Sequence, residues 1–233
     1  MQKFYNHLLD RRGNGVRILL SAPNREQSLR EEIANTISHG IGIVAALVGS
    51  PFLIMHAARN GDARFMVGTS LFAATMVLLY LASTVYHALP MGHYKRVFRG
   101  IEQTMIFIFI ASTYTPFTLG ILRGDWGWTL LSLVWSLAAG GVTLVAFDKI
   151  SHHIVCASYY LLMGWLVVIA VDPLLAKMPK SGLLWLFAGG LAYTVGVVFL
   201  VIDSRLRYGH FIWHLCVMAG TACHYFAVLW YAV

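Results

Sequence analysis

The sequence predicts an all-α integral membrane protein, a seven-transmembrane helix bundle with its N-terminus in the cytoplasm and its C-terminus outside. Two features of composition support this fold class: 58% of the 233 residues are hydrophobic, and only 12% are Asp, Glu, Lys or Arg. An ordinary soluble domain has about 25% charged residues. A chain this apolar, with a mean hydropathy of +0.69, is expected to have lipid covering its surface. A third feature, the uneven distribution of basic residues between loops, predicts the orientation.

A polar N-terminal arm, residues 1–32, precedes the predicted transmembrane domain, residues 33–233. The arm is too long for a cleaved signal peptide, so we interpret the first apolar stretch as a retained helix. The seven apolar stretches are estimated as 33–57, 65–88, 100–122, 127–147, 153–172, 182–203 and 210–232. Each reaches or approaches the roughly 20 residues that cross ~30 Å of hydrocarbon as a helix. Continuous apolar segments of this length are helices because every backbone polar group must be satisfied within the bilayer.

Lys and Arg residues predict the orientation because they are enriched in cytoplasmic loops. The N-terminal arm and the loops after the second, fourth and sixth predicted spans carry 12 of them, including Arg11, Arg12 and Arg17 in the arm. The loops on the opposite side and the C-terminus carry 5. This bias places the N-terminus in the cytoplasm.

The net charge of +7 does not indicate nucleic acid, because the basic residues occupy the arm and short loops and form no single stripe. Cationic loops of a membrane protein contact anionic lipid, so membrane lipid is the expected partner, and a homo-oligomer is left open. Cys156, Cys216 and Cys223 lie inside apolar segments and form no CxxC pair. A disulfide framework is therefore not expected.

Three histidines and a carboxylate from three predicted helices converge at one depth. The second span ends at His87, the third begins on the same side with Glu102, and the seventh begins there with His210 and His214. Because His210 and His214 are four residues apart, both imidazoles project from one helix face, about 6 Å from each other. One helix can thus offer two nitrogens to a metal ion, and His87 completes a three-histidine set.

We interpret this set as a zinc site at the cytoplasmic end of the bundle. Three protein ligands plus a water molecule is the arrangement of catalytic zinc sites, and zinc lowers the pKa of that water toward ~7. Glu102 is expected to hold the water as a general base or to ligate the metal itself, and Ser83 to orient Glu102 or the water. The simpler alternative places these histidines among lipid headgroups, but ionisable groups within spans are costly and tend to be functional.

The other polar residues are given different interpretations. His224 lies about 21 Å beyond His210 along the helix axis, too far to share an ion, and is expected to be a hydrogen-bonded interior histidine. His39 enters the first span on the cytoplasmic side and is a weaker candidate for the site. Asp203 is the one span-end aspartate for which a partner near the seventh span is worth testing. The remaining histidines are expected away from the site: His7, His56, His93, His152 and His153.

Four motifs together carry a resemblance to a known family. They are Glu31–Gly42 (EEIANTISHGIG), Ser83–His87 (STVYH), Thr113–Phe117 (TYTPF) and His210–His224 (HFIWHLCVMAGTACH). The chain resembles the hemolysin III branch of the progestin and adipoQ receptor family from Glu31 to the C-terminus. The resemblance implies a seven-helix bundle with the N-terminus inside, in agreement with the charge count, and a location in a bacterial-type inner (plasma) membrane.

The resemblance also implies zinc bound at His87, His210 and His214, with Ser83 and the acidic position at the start of the third helix completing a polar cluster. One departure matters, since relatives usually have Asp, often Asp-His, where this chain has Glu102-Gln103. Glu keeps the charge but extends the carboxylate by one methylene. Glu102 is then able to bind the metal directly, which leaves the nucleophilic water open to question.

The sequence leaves three alternative functions open. The first, implied by the ceramidase-type activity of the adiponectin-receptor relatives, is a zinc-dependent hydrolase of a membrane lipid amide or ester, with Glu102 moving the proton. The second is a non-enzymatic regulator or sensor of membrane lipid homeostasis with structural zinc. The third is a pore-forming hemolysin, suggested by the family's name alone, since no span has an evident polar stripe.

Overall fold

A computed structural model describes residues 25–149 and 153–233. These ranges are helical and contain no strand. Most of the predicted N-terminal arm lies outside the described residues, and so do His7 and His152, so the boundary between arm and transmembrane domain stays a prediction.

The helices are long and joined by short connections. In chain order they are α1 (Leu29–Asn60), α2 (Ala63–Ala88), α3 (His93–Leu119), α4 (Asp125–Ala146), α5 (His153–Gly164), a 3-10 helix (Leu166–Ala170), α6 (Val171–Lys177), α7 (Lys180–Ile202) and α8 (Gly209–Tyr231).

Six segments of the described chain are long and apolar enough to cross a membrane. They are α1, α2, α4, the stretch Ile154–Lys177 that contains α5 and α6, α7, and α8. The third helix, α3, is not among them; it begins with basic residues and carries Glu102. Large apolar side chains of the six segments face outward; Val44 of α1 is 62% exposed and Leu184 of α7 is 67% exposed. The chain is therefore a multi-pass membrane protein, since contiguous apolar surface of this kind requires lipid.

Polar side chains at the helix ends satisfy backbone groups that the helices leave free. Glu31 accepts hydrogen bonds from the backbone N–H and the hydroxyl of Ser28, just before α1. Asp62 accepts from the N–H groups of Arg64 and Phe65 at the start of α2. The hydrogen bond from the Phe65 N–H is the main reason that the pKa of Asp62 lies below its ordinary value. Both arrangements fix where a long helix begins.

The helices pack as a ring in which α1 to α4 are neighbours in sequence, α8 contacts α1, and α7 lies between α8 and α5. Small residues permit close approach. Gly68 of α2, for example, lies so near α3 that a Cβ would be 3.0 Å from the carbonyl oxygen of Thr115. The ring brings the beginnings of α1, α3 and α8 together with the end of α2. We call this the cluster end, after its histidines, and the opposite end the distal end.

The fifth predicted span is interrupted, contrary to the continuous helix expected over 153–172. The α-helix stops at Gly164, and the chain continues through the 3-10 helix into α6. Tyr114 of α3 compensates, because its hydroxyl donates to the carbonyl oxygens of Met163 and Gly164 and accepts from the Val167 N–H. A broken helix at membrane depth persists where neighbouring helices supply such partners.

Candidate metal centre

The predicted convergence of His87, Glu102, His210 and His214 is present at the cluster end. Each of these residues offers one possible ligand atom, and the four atoms lie within 4.8 Å of one another. His87 comes from the last turn of α2, and His210 and His214 from the first two turns of α8. The three imidazoles, called the histidine cluster below, have ring centroids 4.8 to 5.0 Å apart.

Each imidazole of the histidine cluster is held through its Nδ1 atom. His87 donates to the Glu32 carboxylate at 2.6 Å, and His210 donates to the Asp203 carboxylate at 2.8 Å. The Nδ1 of His214 lies 3.0 Å from the Ser38 hydroxyl oxygen. Because that hydroxyl donates its own hydrogen to the Asn35 carbonyl oxygen, His214 must be the donor.

The Nε2 atoms of all three rings have no hydrogen-bond partner among the described residues, although they are buried. Since each Nδ1 carries the hydrogen, each Nε2 presents a lone pair. Buried acceptors without partners cost free energy, so three of them at one point require an explanation. Metal-ligating histidines ordinarily bind through one nitrogen and donate the other N–H to a carboxylate, a carbonyl oxygen or water. The donor set therefore fits a metal ion, and imidazole ligands suit Zn, Cu, Fe and Ni alike.

Glu102 lies at the edge of the histidine cluster with its side chain 12% exposed. Its Oε1 atom is 3.7 Å from His87 Nε2 and accepts a hydrogen bond of 2.5 Å from the Ser83 hydroxyl. Of the two partners expected for Ser83, Glu102 or a bound water, the described residues contain the contact with Glu102. The carboxylate is close enough to a common ion to serve as a fourth ligand, or to hold a water molecule beside it.

Glu32 belongs to the candidate metal centre, which comprises the histidine cluster and the side chains bonded to it. The sequence analysis missed this residue. It holds His87 with one carboxylate oxygen and forms an ion pair of 3.0 Å with Lys95 through the other. Lys95 also donates to the carbonyl oxygens of Tyr86, in the last turn of α2, and of Leu89, just after it. The second acidic residue of the EEIANTISHGIG motif was the available signal, but only the rotation of α1 in the bundle shows that it faces His87.

His39 is closer to the centre than predicted. Its ring stacks on His214 at a centroid distance of 3.5 Å and an angle of 5°, and it meets Tyr80 edge-on. Both ring nitrogens are buried without partners among the described residues. Sequence spacing gave no reason to place it there, because α1 carries no second histidine one turn away.

An ion-pair clamp ties the beginning of α1 to the loop before α8. The Glu31 carboxylate accepts from the Arg25 guanidinium at 2.6 and 2.8 Å and from the Tyr208 backbone N–H at 2.7 Å. Arg25 also donates to the carbonyl oxygen of Leu206. The hydrogen bond with Glu31 is the main reason that the pKa of Arg25 is raised. The clamp fixes the chain immediately before His210.

An apolar cavity of about 350 Å³ begins beside the centre and runs toward the distal end. Ser83, Glu102 and His39 line the end that adjoins the centre, whereas Leu174, Leu183 and His224 line the far part. This cavity places a mainly apolar space next to a candidate metal site.

Comparison with known proteins fits this arrangement of helices and polar residues. The family model described as "Haemolysin-III related" matches residues 27–225. This chain belongs to that family.

Relatives of this haemolysin-III family member agree with the assignment. The chain is 42% identical over 206 residues to "Hemolysin-3 homolog" of Bacillus subtilis, covering 88% of this chain and 96% of that protein. It is 39% identical over 207 residues to "Hemolysin-3" of Bacillus cereus, covering 89% and 94%. It is 31% identical over 207 residues to "Monocyte to macrophage differentiation factor" of Homo sapiens, covering 85% and 83%.

Several other polar residues of this haemolysin-III protein lie where the sequence predicts. Asp203, expected to have a partner near the seventh span, binds His210. His224 is an interior histidine with a hydrogen bond to the Leu186 carbonyl oxygen. His56 and His93 lie away from the centre; His56 bonds to Asn60, and His93 is exposed. His153 begins α5, but its side chain lies outside the described part of the structure.

Proposed function

We propose that this haemolysin-III family member is a metal-dependent hydrolase that acts on a membrane lipid amide or ester, with zinc as its metal. One observation carries the proposal: three unpartnered Nε2 atoms converge beside a hydrogen-bonded carboxylate at the head of an apolar cavity. A metal site, a proton carrier and space for a lipid chain are the components that such a reaction requires.

His87, His210 and His214 would hold the metal through Nε2. When bound, a divalent ion such as zinc supplies a Lewis acid that lowers the pKa of water toward ~7 and polarises a carbonyl oxygen. Glu32, Asp203 and the Ser38 hydroxyl position the rings by holding their Nδ1 atoms, and outer partners of this kind orient metal ligands.

Glu102 is the proposed proton carrier. The Ser83 hydroxyl donates to its Oε1 and so fixes the orientation of the carboxylate. The carboxylate takes a proton from the attacking water and passes it to the nitrogen or oxygen of the leaving group. Water and an acyl group brought together here are shielded from bulk solvent, since His87 and His214 are 3% and 0% exposed.

The cavity supports a lipid as the substrate class. Its walls are mainly aliphatic and aromatic, and several of its lining residues also face the outside of the bundle: Trp165, Val168 and Phe187 are 40%, 54% and 59% exposed. A lipid chain can therefore enter sideways between the 3-10 segment and α7. The carbonyl group would then lie at the cluster end and the acyl chain along the cavity.

The number of spans and their orientation are also part of the proposal. Seven spans, with α3 as the third, place the cluster end in the cytoplasmic leaflet of a bacterial inner membrane. Supporting this, α3 packs between α2 and α4 along its length. Reporter fusions after Ala88 and at the C-terminus should report the cytoplasm and the outside, respectively, and the same side for both would contradict seven spans.

The decisive experiment measures metal content and hydrolysis on the same purified protein. Wild type in lipid nanodiscs should hold about one zinc per chain and release free fatty acid from a long-chain lipid amide, as detected by mass spectrometry. Glu102→Gln should keep most of the metal and lose at least about 100-fold in rate, within the range attributed to general acid–base catalysis.

Asp125→Asn is the matched control, because Asp125 is an exposed carboxylate at the distal end. It should leave both metal content and rate unchanged. A wild type that hydrolyses neither amides nor esters while holding stoichiometric metal would contradict the hydrolase proposal. So would a Glu102→Gln protein with full activity.

A second candidate is a non-enzymatic protein with a structural metal. The nearness of the Glu102 ligand atom to all three histidines favours it, because four protein ligands close a tetrahedral site. In that case Glu102→Gln should lose metal and thermal stability together, with no hydrolysis in wild type. The same pair of measurements therefore separates the two functions.

A further inference from the structure

Tyr208, the residue before α8, has an unusual backbone conformation. Of the described residues other than glycine, two have a positive φ: Asp148 at 52° and Tyr208 at 59°. Aspartate visits this left-handed region because its short polar side chain hydrogen-bonds locally, and Asp148 is exposed just after α4. Tyrosine is bulky and lacks that compensation, so its backbone at this position is strained.

Tyr208 is also a poor residue for capping the beginning of a helix. A capping residue is usually extended, and its side-chain oxygen accepts hydrogen bonds from the first N–H groups of the helix. Tyr208 occupies this position at α8 with φ 59° and ψ 15°, and its side chain makes no capping bond. Strain of this kind persists only where the surrounding structure imposes it, and it clusters at functional sites. Here His210 follows two residues later.

The surrounding structure holds both peptide groups that flank Tyr208. The group before it is held by Glu31, whose Oε1 accepts from the Tyr208 N–H at 2.7 Å. The group after it is held within the chain, because the Gly209 N–H donates to the Leu206 carbonyl oxygen and the Tyr208 carbonyl oxygen accepts from the Ile212 N–H. Since φ and ψ are the only soft rotations between two peptide groups, holding both groups imposes the left-handed conformation.

Glu31 is itself held in one orientation. Its side chain is 3% exposed. Its carboxylate accepts two hydrogen bonds from the Arg25 guanidinium and two from the N–H and the hydroxyl of Ser28. Paired bonds between a guanidinium and a carboxylate fix geometry as well as adding energy. The acceptor that meets the Tyr208 N–H is therefore a rigid one.

The turn at Tyr208 brings His210 back to Asp203, at the other end of the loop between α7 and α8. Gly209 lies so close to this residue that a Cβ would be 3.0 Å from the Asp203 Cα atom. The Nδ1 of His210 donates to the Asp203 carboxylate at 2.8 Å. A right-handed Tyr208 would redirect the first turn of α8, and the Nε2 of His210 would then move away from the other two imidazoles of the histidine cluster.

We propose that Glu31 is a positioning residue for the metal centre, because it holds Tyr208 in the left-handed conformation and thereby keeps His210 aimed at the ion. The inference rests on the proposed function for the role of His210 as a metal ligand. In this role Glu31 acts through the backbone of Tyr208. The loss of Glu31 should therefore be compensated by a residue that adopts the left-handed conformation without strain, as glycine does.

The test measures zinc affinity and thermal stability, so it does not depend on hydrolysis. Purified full-length protein in lipid nanodiscs is titrated with a chelator of known affinity, for wild type, Glu31→Ala, Tyr208→Gly and the double variant. Glu31→Ala should bind zinc about tenfold more weakly, as expected for residues that orient metal ligands. Tyr208→Gly should bind zinc as wild type does, and the double variant should recover most of the affinity that Glu31→Ala loses.

The melting temperatures of the same proteins without metal separate positioning from a general structural role. The double variant should remain as unstable as Glu31→Ala, because Arg25 still lacks its buried partner. Recovered zinc affinity without recovered stability is the signature of positioning. A Glu31 that only stabilises the fold would leave both quantities impaired in the double variant. Glu26→Ala, at an exposed neighbouring carboxylate, is the matched control and should change neither.

A second pair of variants decides the question if Glu31→Ala does not fold. Tyr208→Val and Tyr208→Asn both remove the aromatic ring. Valine resists the left-handed region whereas asparagine tolerates it, so only Tyr208→Val should weaken zinc binding. Equal affinities of these two variants would overturn the inference. Wild-type affinity in Glu31→Ala, or a double variant as weak as Glu31→Ala, would overturn it as well.

Failure here and failure of the proposed function are distinguishable. A wild type that holds zinc with an affinity insensitive to Glu31 overturns this inference alone and leaves the metal site and the hydrolase intact. A wild type that holds no metal overturns the inference and the metal-dependent reaction together.

Discussion

Helix α8 carries histidines in its first two turns and again toward the distal end, but the surroundings of these residues differ in kind. At the cluster end, His210 and His214 meet His87, and a carboxylate or a hydroxyl holds each Nδ1. Toward the distal end, His224 lies among mainly apolar and aromatic side chains, and its ring bonds to one backbone carbonyl oxygen.

The comparison shows that a buried imidazole alone does not indicate a metal site. Carboxylates such as Glu32 and Asp203 are costly to place near a bilayer, and here both accept hydrogen bonds from imidazoles of the histidine cluster. The ring of His224, in contrast, bonds to a backbone carbonyl oxygen. Concentrated charge with converging lone pairs points to a bound cation, whereas a single imidazole bonded to a backbone carbonyl oxygen does not.

The largest expected effect comes from removing a proposed metal ligand at the cluster end. His214→Ala should lower the zinc content from about one per chain to near zero, because a site of three histidines does not hold the ion with two. Metal analysis after dialysis of purified protein measures this. His93→Ala, at an exposed histidine of α3, is the control and should keep its zinc. Stoichiometric zinc in His214→Ala would contradict the proposal that the beginning of α8, unlike its distal part, binds a metal.

The next effect concerns stability at the distal end. Gly127→Ala should lower the melting temperature with a cost of about 1–3 kcal/mol or more, because its Cβ would lie 2.3 Å from the Thr118 carbonyl oxygen. Zinc content should not change. Gly100→Ala has open space around its Cβ and should be neutral or slightly stabilising. If Gly127→Ala lost zinc while still folded, the two ends would not be independent.

A smaller effect is expected at Glu32, which accepts a hydrogen bond from the proposed metal ligand His87. Glu32→Gln should weaken zinc affinity by about 10–100-fold, because His87 loses a charged acceptor. Competition with a chelator of known affinity measures the change, and Asp125→Asn serves as the charge-matched control. Unchanged affinity would mean that the carboxylate serves Lys95 and not the metal centre.

The smallest effect is expected for Ser83→Ala. Ser83 reaches the centre only through Glu102, so its loss should weaken zinc affinity by a few-fold, about the value of one hydrogen bond to a charged group or less. The same chelator competition detects it, with Ser132→Ala, at an exposed residue of α4, as control. A loss as large as that of Glu32→Gln would indicate that Glu102 is itself a metal ligand.

Much of this arrangement could be predicted from the sequence, because it depends on local periodicity. The spacing of His210 and His214 places them on one helix face, and the order of the spans brings His87 and Glu102 to the same end. Ser83 was predicted to orient either Glu102 or a bound water, and its hydroxyl donates to Glu102. The interruption after Gly164 was not, because the stretch is uniformly apolar and the hydroxyl that compensates for it belongs to Tyr114, about fifty residues earlier.

The sequence by itself determined the membrane class, the approximate positions of the helices, the family and the three histidines, since hydropathy and helical spacing are properties of short segments. Only the tertiary structure decided that Glu32 holds His87, that His39 stacks on His214, and that an apolar cavity links the centre to His224. Those contacts depend on how far each helix is rotated and shifted against its neighbours, which is set by the packing of side chains along whole helix faces.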